Sequence, residues 1–402
     1  MDTYWIYFGT QTGKTTDAMK DNNVLQSEGI YVGQFHTKTG EITDVRLAAK
    51  MITSNFFDFD PERKILYVSG VREKEDGAAN VYAYKADPKT GNLNYINYQQ
   101  TGGKGVCHLS IDKEGKFLVA ANYSSGDFTL FRINPDGSIG EKTGFVHKEG
   151  GGPDKRRQDS AKGHAAYIVK HQGKTRVFMV DLGSDKVYVQ LLDEKSGKIM
   201  DDPEIPVLVC PPASGPRHLT WAPDQNGDLA VFVLNELDST LTVFGLHFGD
   251  QNSKGKATTY GTWSTIPDDL RKKLTDEVAL VDSKNYFFGS KTAEIELLYK
   301  EKPILYASNR GHNSIAVFDV DSFLNGSKKP EAKLTQLQTT FGTFPRFFTS
   351  DPTGQYLIVA NKRTGTIYTF SIDQKNGKLN IINQDPVRIA WCIAMEFCPI
   401  EK

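Results

Sequence analysis

The feature that most constrains this 402-residue chain is a unit of three short strands that recurs along its length. One copy, residues 213–244, reads ASGPRHLTWAPDQNGDLAVFVLNELDSTLTVF, where apolar alternation is interrupted by a Pro-Asp-x-x-Gly turn and a Glu-Leu-Asp-Ser bend. This pattern predicts three consecutive antiparallel strands. The start of the first strand and the end of the second then lie at one edge of the sheet, so Arg217 and Glu236 are expected to be neighbours.

Five further copies of the unit are visible, and their spacing indicates the architecture. The six copies occupy residues 55–84, 107–131, 164–190, 213–244, 294–318 and 346–370. Measured between third strands, successive copies lie 47, 59, 54, 74 and 52 residues apart. A period near 50 residues with several short strands per repeat is typical of the blades of a β-propeller.

The two ends of the sequence supply a seventh copy. Residues 4–10 and 29–35 read as strands that lack a first strand, whereas residues 389–399 read as a first strand with nothing after it. Pairing them closes the ring and removes exposed sheet edges. The sequence therefore predicts an all-β, seven-bladed β-propeller forming one domain over residues 1–402, closed by the C-terminal strand joining the N-terminal blade.

Two segments depart from the repeat. The 74-residue interval places an insertion at about 249–291, in which residues 267–281 are expected to form a short amphipathic helix. Residues 147–162, HKEGGGPDKRRQDSAK, are glycine-rich and then charged, and are expected to form a surface loop.

Charge and hydropathy exclude several classes of partner. Lys plus Arg, 48, almost cancels Asp plus Glu, 49, so no overall field attracts nucleic acid or an anionic membrane. No apolar run approaches the roughly 18 residues of a membrane span, and the N-terminus lacks the charge and apolar core of a signal peptide. We expect a cytoplasmic protein, with a secreted or periplasmic location left open because a removed leader leaves no trace. The sequence indicates no oligomeric state.

Neither a metal nor a cofactor is predicted. The four cysteines include no CxxC pair and are expected to be reduced and buried. For Cys107, packing near the channel is favoured over a nucleophilic role. The chain has no G-x-S-x-G elbow, no GxGxxG or P-loop, and no H-E-x-x-H motif. A calcium site would need several carboxylate or amide oxygens around one ion, and the residues expected at the channel mouth are too cationic for that.

Polar residues recur at the strand ends that share one mouth of the predicted ring. They open the first strands or close the second strands at positions where the rest of each strand is apolar. The candidate site residues are His164, Arg217, Glu236, Glu294, Arg310 and Arg346. Because the ring is closed, residues that are far apart in sequence are expected to converge there.

This residue set suits proton transfer on a bound anion. Arginines can hold an anionic small molecule bidentately while an acid or base moves a proton, as in lactone chemistry. We expect His164 and Glu236 to be catalytic, and Arg217, Arg310, Arg346 and Glu294 to bind substrate.

An alternative, structural interpretation applies to several of the same residues. In it, Arg217 with Glu236 and Arg310 with Glu294 are buried ion pairs joining blades. The asparagines that end the second strands are expected to satisfy backbone groups, and His108 and His218 to hydrogen-bond within the ring.

Several stretches resemble a known family. They are KGHAAY (162–167), SGPRHLTWAP (214–223), VLNEL (233–237), TAEIEL (292–297), YASNRGHNSIAVF (306–318) and FPRFFTSDPTGQYLIVAN (344–361). On these the chain resembles the seven-bladed propeller lactonases, which include bacterial 6-phosphogluconolactonases and fungal 3-carboxy-cis,cis-muconate lactonizing enzymes. The resemblance implies that His164, Arg217, Glu236 and Arg310 match the family's active site.

Two classes of function stay open on the sequence. The first is an enzyme that opens or forms a small anionic lactone or carboxylate, most simply by 6-phosphogluconolactonase-like hydrolysis and alternatively by muconate-type lactonization. Hydrolysis of a phosphorylated lactone needs a phosphate pocket, for which Arg346, Lys362 and Lys162 are available, whereas lactonization needs only carboxylate clamps. The second class is a non-catalytic propeller that binds a ligand or partner.

Overall fold

The computed structural model describes residues 2–12, 26–73, 79–249, 254–271, 289–382 and 384–401. Regular structure in these ranges is almost entirely β-strand, with helical residues at 268–271 and a 3₁₀ turn at Asp321–Phe323. No helix among the described residues is long and apolar enough to cross a membrane. The strands are, in chain order, β1 (Thr3–Thr10), β2 (Gly29–His36), β3 (Ile42–Lys50), β4 (Thr53–Asp60), β5 (Ile65–Val71), β6 (Asn80–Ala86), β7 (Leu93–Gln100), β8 (Val106–Ile111), β9 (Phe117–Asn122), β10 (Asp127–Ile133), β11 (Ile139–His147), β12 (Gly163–His171), β13 (Lys174–Asp181), β14 (Lys186–Asp193), β15 (Lys198–Asp201), β16 (Val207–Val209), β17 (Pro216–Pro223), β18 (Leu229–Asn235), β19 (Thr240–His247), β20 (Lys256–Ser264), β21 (Lys291–Tyr299), β22 (Pro303–Arg310), β23 (Ser314–Asp319), β24 (Lys333–Thr339), β25 (Pro345–Ser350), β26 (Tyr356–Asn361), β27 (Thr366–Ile372), β28 (Leu379–Ile381), β29 (Val387–Arg388) and β30 (Cys392–Pro399).

The strands form seven antiparallel sheets, which are the blades of a propeller. Blade 1 is β30-β1-β2-β3, and blades 2, 3, 5 and 6 are β4 to β7, β8 to β11, β17 to β20 and β21 to β24. Blade 4 is β12 to β15 with β16 beside β14, and blade 7 is β25 to β28 with β29 beside β27. The innermost strands contact one another in sequence from β30 through β4, β8, β12, β17, β21 and β25 back to β30. The predicted seven-bladed propeller is confirmed.

The hydrophobic core lies between neighbouring blades. In β18, Val231 packs in a cluster with Phe178 of blade 4, whereas the next residue, Phe232, packs in a cluster with Phe318 of blade 6. Successive side chains of a strand point to opposite faces, so a strand with a blade on each side is buried on both. This is why the second strands read as nearly continuous apolar runs; all seven residues of β18 are buried.

Ring closure follows the predicted route. Strand β30 pairs antiparallel with β1, with Tyr4 opposite Pro399 and Gly9 opposite Ala394. Blade 1 therefore takes its innermost strand from the last part of the chain and its other three strands from the first part.

The predicted insertion at about 249–291 contains part of a blade. Its residues 256–264 form β20, which pairs along its length with β19 as the outer strand of blade 5. Most of this strand is exposed, so it lacks the apolar alternation that marks the other three strands of the repeat. Of the helix predicted at 267–281, residues 268–271 are helical, and residues 272–281 lie outside the described residues.

Candidate active site at the mouth of the ring

The innermost strands carry β-bulges at one end of the ring, which we call the mouth. In β17, Pro216 lies opposite Asn235 and His218 opposite Leu234, which leaves Arg217 without a cross-strand partner. A bulge of this kind re-aims the extra residue out of the regular alternation. The bulge residues are Asn55, Cys107, His164, Arg217, Arg346 and Ile393, and in β21 the pair Ala293 and Glu294. The predicted mouth residues of the innermost strands, His164, Arg217 and Arg346, therefore share a backbone irregularity.

A second row of side chains comes from the ends of the second strands. Four of these strands have a buried asparagine as their last or next-to-last residue, of which Asn235 donates hydrogen bonds to Thr240 and Thr242 at 2.9 Å each and so braces the bend. The four asparagines are Asn122, Asn235, Asn309 and Asn361. The residue after each one is Tyr123, Glu236, Arg310 or Lys362, and these lie at the mouth. The asparagines are structural, as expected.

Glu236 lies among three arginines. Its Oε1 accepts a hydrogen bond from Arg157 Nη2 at 2.6 Å, and its Oε2 lies 3.1 Å from Arg217 Nε and 2.8 Å from Arg310 Nη2. Burial alone would raise the pKa of Glu236, but the charges of Arg310, Arg157 and Arg217 outweigh it and hold that pKa well below its usual range. Glu236 is therefore a carboxylate that fixes the positions of the guanidinium groups. The predicted contact between Arg217 and Glu236 is confirmed.

His164 approaches this carboxylate from the next blade. Its Nε2 lies 3.7 Å from Glu236 Oε2, and its Nδ1 has no hydrogen-bond partner among the described residues. Burial, followed by the charge of Arg217, lowers the pKa of His164 well below its ordinary value. The imidazole is therefore neutral near pH 7 and can accept a proton.

Glu294 lies one layer deeper than predicted. The flanking residues Thr292 and Ile295 correspond to Pro216 and Leu219 of β17, so Ala293 falls level with Arg217 and Glu294 with His218. Arg217 Nη1 donates a hydrogen bond to His218 Nε2 at 3.0 Å, so the proton of the neutral His218 ring is on Nδ1. His218 Nδ1 in turn donates to Glu294 Oε1 at 2.9 Å. Glu294 thus supports Arg217 through His218.

Arg310 does not form the ion pair with Glu294 that the structural interpretation proposed. Its Nη2 instead contacts Glu236 and donates to the carbonyl oxygen of Thr292, which precedes the bulge. Burial is the largest influence on Glu294 and raises its pKa to about 7, with Arg217 opposing.

The channel below the mouth is filled by rings from opposite sides of the propeller. The ring centroids of Phe56 and His108 lie 4.1 Å apart, and the ring of Phe56 also contacts His218 at 5.6 Å and Phe347 at 5.7 Å. His108 and His218 lie 5.2 Å apart. These rings form the floor of the site.

Two cations that blade 7 contributes to the mouth have no anionic partner among the described residues. The Arg346 guanidinium makes no hydrogen bond or ion pair with any of them, and the Lys362 ammonium lies 4.9 Å from the ring centroid of Trp391. Lys162, the other residue considered for a phosphate pocket, is engaged elsewhere: its Nζ lies 2.8 Å from Ser160 Oγ and 2.9 Å from Asp159 Oδ1.

Cys107 belongs to the mouth but is not poised for nucleophilic attack. Its Sγ lies 3.2 Å from the carbonyl oxygen of His164. Burial raises the pKa of the thiol to about 12, so it stays protonated.

Sequence reasoning missed Arg157 and Lys291. Arg157 lies in the segment expected to be a surface loop, yet its guanidinium reaches Glu236 and, at 3.1 Å, Tyr123. The loop is anchored by buried Gln158, which donates to Leu182 and Asp185, and a side chain at Gly152 would collide with it. The glycine run before the two arginines was the available signal, since it permits this close approach.

Lys291 begins β21, at the end of the insertion. Burial, followed by the charge of Arg157, lowers its pKa to about 8. No repeat position marks this lysine in the sequence.

Comparison with known proteins agrees with this geometry. The family description "Lactonase, 7-bladed beta-propeller" matches residues 6–395. The chain belongs to this family. It is 32% identical over 361 residues to a 6-phosphogluconolactonase of Formosa agariphila, covering 89% of this chain and 92% of that protein. It is 29% identical over 371 residues to a 6-phosphogluconolactonase of Bacillus subtilis, covering 92% and 95%.

A solved structure supports the same fold for this lactonase. The crystal structure of a protein from Lactobacillus plantarum superimposes with a TM-score of 0.78 at 27% identity, covering 98% of this chain and 99% of that one. The match spans the whole ring. The protein is thus a lactone-hydrolysing enzyme, and the mouth of its ring is the candidate active site.

Proposed function

We propose that this lactonase hydrolyses the ring ester of 6-phosphogluconolactone, with the mouth as its active site. The observation that carries the proposal is a neutral histidine, His164, with an unpartnered ring nitrogen beside a carboxylate that three arginines keep ionised. The names of the Formosa and Bacillus relatives support the substrate. A phosphorylated sugar does not cross a membrane unaided, which agrees with the expected cytoplasmic location.

The first step assigned to the site is attack by water. Neutral His164 takes a proton from a water molecule, whose oxygen bonds to the lactone carbonyl carbon. The carbonyl oxygen becomes an oxyanion, and the guanidinium groups of Arg217 and Arg310 are the donors at hand to stabilise it. The imidazolium that forms is stabilised by the Glu236 carboxylate, 3.7 Å away.

The second step breaks the ring. The tetrahedral intermediate collapses, the bond between the carbonyl carbon and the ring oxygen breaks, and the imidazolium returns its proton to that oxygen. Glu236 was expected to share the acid and base duties. Its low pKa favours a different role, in which it remains ionised throughout and holds the arginines.

The test follows the acid released when the ring opens. Hydrolysis of 6-phosphoglucono-δ-lactone is measured with a pH indicator, after subtraction of the uncatalysed rate. His164→Gln is expected to lower kcat by about 10²-fold to 10⁴-fold, the usual contribution of a general base. The matched control is His247→Gln, because His247 is exposed and pairs with Asp228 away from the mouth.

Two results would overturn the proposal. If the wild-type protein does not accelerate ring opening, 6-phosphogluconolactone is not its substrate. For that case, conversion of the cycloisomerase substrate 3-carboxy-cis,cis-muconate is assayed in parallel. If the His164→Gln variant hydrolyses the lactone at the wild-type rate, His164 is not catalytic.

A further inference from the structure

The cations of the mouth fall into two groups. Arg157, Arg217 and Arg310 each contact Glu236 within 3.1 Å, so their charges are partly compensated. Arg346, Lys362 and Lys291 have no carboxylate partner among the described residues, and of these Arg346 and Lys362 both come from blade 7. A buried or half-buried cation without a counter-charge is unfavourable unless a ligand supplies one.

The two groups come from different blades. Arg157 precedes blade 4, Arg217 belongs to blade 5 and Arg310 to blade 6, whereas Arg346 comes from the bulge of blade 7 and Lys362 follows the second strand of the same blade. The charges of Arg346 and Arg310 act directly on Lys362 and, after burial, depress its pKa well below the ordinary value. Burial and the charge of Arg217 likewise lower the pKa of Arg346 to about 9.

The backbone around this second group is strained. Phe344 and Trp391 have φ angles of 69° and 58°, in the left-handed region that bulky residues rarely adopt. The Phe344 ring lies 5.2 Å from the Arg310 guanidinium carbon, and the Trp391 ring lies under the Lys362 ammonium. The amide of Phe344 donates to Asn313 Oδ1 at 2.8 Å, which holds the strained loop in place. Strain of this kind is concentrated at ligand clamps.

We infer that Arg346 and Lys362 form a phosphate subsite, separate from the Glu236 cluster, that selects phosphorylated lactones over unphosphorylated ones. This inference rests on the proposed function. A phosphate monoester carries between −1.5 and −2 charges at pH 7, so it matches two uncompensated cations where a neutral hydroxyl does not. The planar guanidinium of Arg346 can bond two phosphate oxygens, and Lys362 adds a point charge.

The test compares two substrates in two variants. Lys362→Met and Arg346→Gln remove one charge each, and kcat/KM is measured for 6-phosphoglucono-δ-lactone and for glucono-δ-lactone. We expect the ratio of the two kcat/KM values to fall by about 10-fold to 100-fold in each variant, the effect of losing a hydrogen bond to a charged group. The matched control is Lys162→Met, which removes a lysine already paired with Asp159.

The outcomes separate this inference from the proposed function. If the wild-type protein opens both lactones with equal kcat/KM, or if the variants lower both values by the same factor, the phosphate subsite is wrong while lactone hydrolysis stands. If the wild-type protein opens neither lactone, the proposed function itself fails.

A second measurement does not depend on catalysis. Inorganic phosphate is expected to raise the melting temperature of the wild-type protein, since a ligand that binds only the folded state stabilises it. The increase is expected to be smaller in Lys362→Met than in Lys162→Met. Equal increases in melting temperature in the two variants would contradict the proposed phosphate subsite.

Discussion

Glu236 sets the charge balance of the mouth, because it is the carboxylate shared by Arg157, Arg217 and Arg310. Removing its charge leaves the three guanidinium groups close together without compensation. The same change removes the group that stabilises protonated His164. One residue therefore couples the stability of the site to its chemistry.

Glu236→Gln is expected to lower kcat by about 10²-fold to 10⁴-fold. It is also expected to lower the free energy of unfolding by about 3 to 5 kcal/mol, the usual effect of breaking a buried ion pair, with part of the loss recovered in inorganic phosphate. Kinetics and chemical denaturation measure the two effects. The control is Glu114→Gln, an exposed carboxylate bonded to Lys116 and Lys170. A stable and fully active Glu236→Gln variant would contradict this account.

The residues of the site differ in how far sequence could predict them. Arg217, Glu236 and Arg310 were predictable because antiparallel pairing places the ends of regular strands at one edge. Arg157 was not, because its position depends on the path of a loop. Glu294 was misplaced by one layer, because the start of β21 was aligned one residue out of step, and Ala293 is the residue level with Arg217.

At the scale of single elements, blade 4 contains a buried ion pair that joins a strand to a connection. Arg176 of β13 and Asp202, which follows β15, are at most 1% exposed, with 2.6 Å between Nε and Oδ2. The Arg176 guanidinium also lies 3.6 Å from the ring centroid of Phe248, at the end of blade 5. The pair therefore fastens the outer part of blade 4 to its neighbour.

Asp202→Asn is expected to lower the free energy of unfolding by about 3 to 5 kcal/mol, because it leaves Arg176 buried without a counter-charge. Lys174→Ala, in the same strand, breaks an ion pair with Glu204 whose lysine is half exposed, and is expected to cost about 1 kcal/mol or less. Urea denaturation of both variants gives the comparison. Similar small losses in the two would show that the buried pair contributes little.

The outer strand of each blade is the element that the hydrophobic pattern does not predict. The first three strands of each repeat were visible because at least one face is buried between blades. The fourth strand is largely exposed, as in β3 and β20, so hydrophobicity does not mark it. That is why residues 256–264 were assigned to an insertion.

At the scale of the whole molecule, the closure of blade 1 holds the ring together. Deletion of residues 389–402 removes β30, which pairs with β1 and contacts the innermost strands of blades 2 and 7. Two sheet edges would then be exposed, and we expect aggregation or a large fall in melting temperature. Size-exclusion chromatography and thermal denaturation test this, with an unchanged melting temperature as the contrary result.

Buried carboxyl groups predict how stability depends on pH. Burial is the main cause that raises the pKa of Glu294 and Glu296 to about 7 and that of Glu396 to about 8. The folded protein therefore holds protons that the unfolded chain, with a pKa near 4.3 for glutamate, has already released. Their contribution to stability is complete below that value and is lost as pH rises through about 7 to 8.

The clearest window is pH 6.5 to 8. Below pH 6.5 three buried histidines, His108, His164 and His218, have the opposite effect on stability. Their pKa values are depressed, so they stay neutral in the folded protein while the unfolded chain takes up protons. Within this window, the three carboxyl groups are expected to make the melting temperature fall as pH rises, while the lowered pKa of Lys362 acts in the opposite direction. Glu396→Gln is expected to reduce that slope and Glu114→Gln to leave it unchanged. A slope that Glu396→Gln does not alter would contradict the assignment.

The rings of Phe56, His108, His218 and Phe347 form the floor of the site, and the charged groups of the mouth lie above it. Ring opening turns an ester into a carboxylate, so the molecule that departs carries one more negative charge than the molecule that arrived. It departs from a mouth with six cationic side chains, Arg157, Arg217, Lys291, Arg310, Arg346 and Lys362. We therefore expect product release to limit turnover, and added 6-phosphogluconate to compete with the lactone for the free enzyme.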